Sequence, residues 1–359
     1  MTTQANGQPR PRGRAAAAAA VRDLHPGYFA FVMATGIVST GTYLLGPSWL
    51  SVAFLAVGSA GLAVLTVALI ARLISYRPHV VADIRAPDRV FGFFTITAGL
   101  DVLGARFALA GHPLVTAILA IVAAAIWLLL TYGVPASLLL TRASDSILSS
   151  VNGSWLIWIV ATQSLSVAAA VLVPAWPSRA GLLAPVAAAL WGVGLLLYLV
   201  VVGLILLRWL TIPMTPATLG PPYWILMGAT AISVYAGAHD LDLPKSIPVI
   251  AATAGFTEGF SFALWAFGTW WIPLLIILGL WRHVRHQWPL TYEPTLWSIV
   301  FPLGMYSVAT LTFGKAAGLV FLHPVAHVML WVAVAAWVLV AAAFLGRLGR
   351  HLWLPPIAG

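Results

Sequence analysis

The chain has no cysteine among its 359 residues. Disulfides, thiolate metal sites and cysteine nucleophiles are therefore excluded. Charge is also scarce: 8% of residues are Asp, Glu, Lys or Arg, where an ordinary soluble domain carries about 25%. A Gly-rich phosphate loop is missing, and no stretch outside the apolar runs is long enough for a nucleotide-binding domain, so transport driven by this chain's own ATP hydrolysis is not expected. The basic start, Arg10 to Arg14 followed by an alanine run, lacks the strongly apolar core of a secretory signal. Residues 1–22 are read instead as a basic, mostly disordered cytoplasmic tail, with room for a short interfacial helix.

What the chain has in abundance is apolar surface, with 61% hydrophobic residues. That composition places it in a membrane. A bilayer core of about 30 Å takes about 20 apolar residues per helix, and ten spans follow: Tyr28–Leu45, Leu50–Ile74, Val90–Ala110, Pro113–Leu139, Gly153–Val173, Ala180–Leu210, Pro222–Ala238, Ile250–Trp281, Thr295–Thr312 and Val325–Leu348. These form a transmembrane domain over 23–350, with a second cytoplasmic tail at 351–359. The net charge of +9 resides in the short loops, which argues for lipid headgroups rather than nucleic acid as its partner. Fourteen Lys/Arg fall on the side of the termini and four on the other, so both termini are expected in the cytoplasm of a cell-membrane protein.

The odd-numbered spans share a spacing. Thr35/Ser39, Thr97/Asp101, Thr162/Ser166, Ala229/Ser233 and, most weakly, Leu303/Ser307 each pair a small or hydroxyl residue with a polar one four positions on. First members lie 62, 65, 67 and 74 residues apart, the length of one helical hairpin. Positions i and i+4 share a helix face, so each odd helix presents a polar stripe. Even spans such as Leu195–Leu207 are nearly all aliphatic. The reading is an all-α membrane protein of five hairpins with quasi-fivefold symmetry, odd helices lining a central pore. Its lining would be Thr35, Gly36, Ser39, Thr97, Asp101, Thr162, Ser166, Ser233, Gly304 and Ser307. The competing account is helix packing, because small and hydroxyl residues also glue transmembrane helices together.

Three segments carry a family likeness. The opening His25–Val38, HPGYFAFVMATGIV, resembles the first helix of the tellurite-resistance/dicarboxylate transporter family, which includes malate permeases, a sulfite efflux pump and plant slow anion channels. Leu264–Pro273, LWAFGTWWIP, is similar to the eighth helix of its malate-permease branch, and Val300–Gly304, VFPLG, to its ninth-helix motif. The resemblance spans nearly the whole chain from His25. It implies a ten-helix protomer around a pore, a homotrimer, and a phenylalanine that plugs the pore as a gate. By motif that residue is Phe301. No cofactor is expected.

Ionisable residues inside spans are functional candidates by default. Asp101 takes the stripe position of the third span and either couples protons to anion movement or bonds a neighbouring helix. Arg106, five residues on, is expected to attract anions at the outer mouth and partly neutralise Asp101. Glu258 in the eighth span reads as a structural or trimer-interface acid. His323 and His327 have a chelating spacing, but Pro324 lies between them and no acid is near, so no metal is expected. His283 and His286 sit in a basic interfacial segment facing headgroups. Scattered His, Asp and Glu make no catalytic cluster, and an enzyme is not expected. The chain is read as a gated pore for small inorganic or carboxylate anions. The alternatives are a proton-coupled carrier of a four-carbon dicarboxylate such as malate, or a tellurite- or sulfite-type oxyanion transporter.

Overall fold

The computed structural model describes residues 14–140 and 147–353. All regular structure in them is helical. Twelve α-helices follow one another: α1 (Arg14–Arg22), α2 (Ala30–Leu45), α3 (Ser48–Ser75), α4 (Arg77–Arg85), α5 (Phe94–Leu109), α6 (Pro113–Leu140), α7 (Ile157–Leu172), α8 (Ala180–Thr211), α9 (Ile225–Leu241), α10 (Pro248–Leu280), α11 (Trp297–Ala316) and α12 (Leu322–Trp353). Nine helices of the described residues are long and apolar enough to cross a membrane. The span containing α9 is not among them.

Burial separates the nine into two layers. The spans containing α2, α5, α7 and α11 have 72 to 94% of their apolar stretch buried, and α9 is likewise enclosed. Those containing α3, α6, α8, α10 and α12 have only 11 to 39% buried, although they are the more hydrophobic set. A helix whose aliphatic side chains face outward has a hydrocarbon-like surroundings as its natural solvent. The short helices touch one another in a closed order, α2 to α5 to α7 to α9 to α11 and back to α2. Each packs also against the long helix that follows it in the chain.

A 3₁₀ turn precedes every enclosed helix: Pro26–Phe29, Val90–Phe93, Gly153–Leu156, Pro221–Trp224 and Pro294–Leu296. Proline near the start of three of them presets the backbone angle and removes a donor that would have no partner there. The five turns touch in the same closed order and cover one end of the bundle. His25 and Asn152 cap two of them, with His25 Nδ1 and Asn152 Oδ1 accepting from the N–H of Gly27 and Ser154.

The amino-terminal tail expected as disordered contains α1, which alanine's helix preference favours. Arg72 Nε donates to the carbonyl of Arg22 at its end. Residues 1–13 and the last part of the 351–359 tail, 354–359, lie outside the described residues. Near α1 the buried Arg72 and Asp83 form an ion pair of 2.8 Å, and Arg89 joins it at 3.1 Å.

Candidate functional site: a cavity on the axis of the bundle

Where the five enclosed helices meet there is a small cavity. Its wall takes Ile37 and Thr40 from α2, Asp101, Val102 and Ala105 from α5, Ser164 and Val167 from α7, Ile232 and Tyr235 from α9, and Met305 from α11. Its volume is about 10 Å³, room for roughly one water molecule. Toward the carboxy-terminal ends of the same helices the space widens into two adjoining hollows of about 670 and 240 Å³, which share Leu109, Tyr235, His239 and Asp242. Lys315 lines the smaller one. Asp242 lies just beyond α9, and burial raises the pKa of its carboxyl.

Asp101 is the predicted lining residue that does face this cavity. Ser164 donates to its Oδ2 at 2.8 Å, while Oδ1, buried, has no hydrogen-bond partner. Among the described residues, no Lys or Arg lines the cavity. Arg106 turns the other way: its Nε and Nη2 donate to Ser51 Oγ at 3.2 and 2.9 Å, and its guanidinium lies 4.3 Å from the centre of the Tyr43 ring. Its guanidinium is thus engaged with Ser51 and Tyr43 rather than in contact with Asp101.

Most of the other stripe hydroxyls are engaged in hydrogen bonds between or within helices, and one arrangement recurs. A tryptophan on a long helix donates its indole N–H to the next enclosed helix: Trp127 to Thr162 Oγ1, Trp191 to the Ser233 carbonyl, Trp265 to Thr310 Oγ1 and Trp337 to Thr35 Oγ1, at 2.9 to 3.0 Å. The second stripe residue is tied to the long helix of its own hairpin. Ser39 donates to the Ser51 carbonyl, Ser166 to that of Ala187 and Ser307 to that of Ala326, at 2.7 to 2.8 Å. Thr97 donates to the Ala123 carbonyl, and Ser233 Oγ to that of Ala229 within its own helix. At about 100° per residue, Ile37 with Thr40, and Ser164 with Val167, lie roughly 150° around α2 and α7 from the stripes. The glycines serve close approach. A Cβ on Gly36 would meet the Leu103 backbone at 3.4 Å, and one on Gly304 would meet Ile37 at 2.9 Å.

Phe301 is fully buried on α11, one turn before Met305 and on the same helix face, hence about 6 Å along the axis from the cavity toward the covered end. Its neighbour Pro302 is held tightly, since a Cβ on Gly228 of α9 would come within 2.8 Å of the proline ring. Glu258 projects from the exposed surface of α10. Thr40, Ser164 and Tyr235 were not singled out by the sequence. The spacing of Trp127, Trp191, Trp265 and Trp337 on the long helices, 64, 74 and 72 residues, was the available sign that the enclosed helices supply acceptors to the outer layer.

Comparison with known proteins agrees with the family likeness seen in the sequence. The profile of the voltage-dependent anion channel family matches residues 23–345. A Mycobacterium tuberculosis protein named as an uncharacterized membrane protein is 45% identical over 161 residues, 43% of this chain and 81% of that one. Two Methanocaldococcus jannaschii proteins named as uncharacterized transporters are 26% identical over 295 residues, 80% of this chain and 82% of theirs, and 24% identical over 327 residues, 89% and 93%. Family and relatives together support anion transport across a membrane.

Proposed function

Because the chain belongs to the voltage-dependent anion channel family, we propose that it conducts small anions along the axis of its five enclosed helices, through a pore shut by Phe301. The observation that carries this reading is the cavity to which all five helices contribute, with hydroxyls, aliphatic groups and the single carboxyl of Asp101 on its wall and no cationic side chain among the described residues. Such a wall strips water from an anion and returns weak hydrogen bonds, so selection follows ease of dehydration. The ten helices are taken as five hairpins in quasi-fivefold order, α9 spanning with the rest, with both termini cytoplasmic. The plugging ring is Phe301, buried one turn below the cavity where Pro302 removes a backbone donor. The protomers assemble as a homotrimer, with the exposed face of α10 around Glu258 covered by a neighbour.

Proteoliposomes loaded with chloride or nitrate test this. Phe301→Ala should raise anion flux at least about tenfold without a proton gradient. A flux equal to that of the unchanged protein removes the plug.

Asp101 supports a second reading, a proton-coupled carrier of a small carboxylate or oxyanion. In its protonated form the unpartnered oxygen is a hydrogen-bond donor at the narrowest described part of the path. A dicarboxylate such as malate is the less suitable cargo, because no cationic side chain faces the cavity. Uptake that follows the proton gradient and stops in Asp101→Asn selects the carrier; gradient-independent flux in that variant selects the pore.

A further inference from the structure

The axial cavity holds about 10 Å³, and the hollows at the carboxy-terminal ends of the enclosed helices hold about 670 and 240 Å³. The width of the path therefore falls abruptly between them. One side chain is common to the walls of all three spaces, Tyr235 of α9, and it is buried to 5% exposure. Ala105 of α5, one turn beyond Asp101, is the other residue shared by the cavity and the larger hollow. A methyl on one side and a phenol ring on the other leave the ring as the part that closes the gap. On its far side the ring packs edge-on against His239, with centroids 4.6 Å apart and planes at 78°. His239 itself borders both hollows.

We infer that the Tyr235 ring, set against Ala105, is a second constriction of the path, and that the cavity opens to the outer hollows only when this ring swings toward them. The hollows on that side are larger than the cavity, and an aromatic ring turns about its two side-chain bonds. Phe301 lies beyond the opposite end of the cavity, on the face of α11 that carries Met305. The cavity around Asp101 and Ser164 thus lies between two rings, and an ion on the path passes both. The use of the path by anions rests on the proposed function; the closure by Tyr235 does not.

The absence of cysteine makes the closure directly measurable, because an introduced thiol is the only one in the chain. Val167→Cys places it in the cavity and Ser246→Cys in the larger hollow. Both variants in proteoliposomes are treated with a charged, membrane-impermeant methanethiosulfonate, and labelling is followed by mass. With Tyr235 present, Val167→Cys should react more than about tenfold more slowly than Ser246→Cys from the side that labels Ser246→Cys. Adding Tyr235→Ala should bring the two rates together, Tyr235→Phe should keep the cavity thiol slow, and Phe301→Ala should leave the rate from that side unchanged. Rapid labelling of Val167→Cys beside an intact Tyr235 overturns the inference. So does slow labelling in Tyr235→Ala while Ser246→Cys in the same background still reacts, a control that also reports correct folding. If instead Phe301→Ala fails to raise flux while the labelling pattern holds, the Phe301 plug falls and the Tyr235 constriction stands.

Discussion

Thr35 offers the sharpest discrimination between a lining residue and a clamp. Its Oγ1 accepts from Trp337 Nε1 at 3.0 Å, and the residue is wholly buried. The bond closes the bundle, since α12 is the last helix and α2 the first of the enclosed ring. Trp337→Phe removes the indole donor while leaving an aromatic ring near Phe54 and Trp297, whose centroids now lie 4.9 and 6.0 Å away. Thr35→Val removes the acceptor and preserves branching. Side-chain hydrogen bonds between membrane helices couple by about 0.6 kcal/mol on average and about 1.7 at most, so the two single variants and the double should give a coupling energy in that range. Thermal or denaturant unfolding of all four proteins in one detergent supplies the cycle. Anion flux and the chloride-to-nitrate ratio of folded Thr35→Val should match the parent. A coupling energy of zero, together with an altered anion ratio, would refute the outward placement and return Thr35 to the pore wall.

Other perturbations have equally definite signs. Asp83→Ala leaves Arg72 buried beside Arg89 without its carboxylate partner, and a lost buried partner costs about 3 to 5 kcal/mol, to be read as a large drop in melting temperature that Arg72→Met in the same chain partly restores. Gly228→Ala drives a methyl to 2.8 Å from the rigid Pro302 ring; overpacking of this kind costs about 1 to 3 kcal/mol, and the α11 backbone beside Phe301 should yield, with a measurable change in flux. His25, ahead of the first span, has its pKa lowered to about 4, first by burial and then by Arg89. The unfolded chain then binds this proton at a higher pH than the folded one. Stability is full above about 6.5 and falls as pH drops toward 4, and His25→Asn, which keeps a cap acceptor for Gly27, should flatten that part of the melting-temperature profile.

Much of the architecture is written in composition and spacing. Long aliphatic runs with almost no charge leave a helix in hydrocarbon as the only economical state of the backbone, and nine such helices are found among the described residues. The contrast between aliphatic and hydroxyl-bearing spans foretold which would be enclosed, because only the former tolerate lipid on most sides. Three of the five 3₁₀ turns begin at a proline, Pro26, Pro221 and Pro294. Asp101 stood out because an acid in an apolar span demands a reason, and it does face the cavity.

What spacing leaves open is the direction a hydroxyl faces. A threonine or serine in an apolar helix is satisfied equally by a water-filled path or by a partner on the next helix, and the i, i+4 pattern is the same in both cases. In the folded chain Trp127 and Trp337 and the carbonyls of Ser51, Ala187 and Ala326 take up stripe hydroxyls. Thr40, Ser164 and Tyr235 line the cavity, residues with no common spacing to announce them. The sequence by itself determined the solvent of each helix, through apolar content and the scarcity of charge. The tertiary structure decided which face of each helix looks inward, because that depends on partners hundreds of residues away, as Trp337 and Thr35 are.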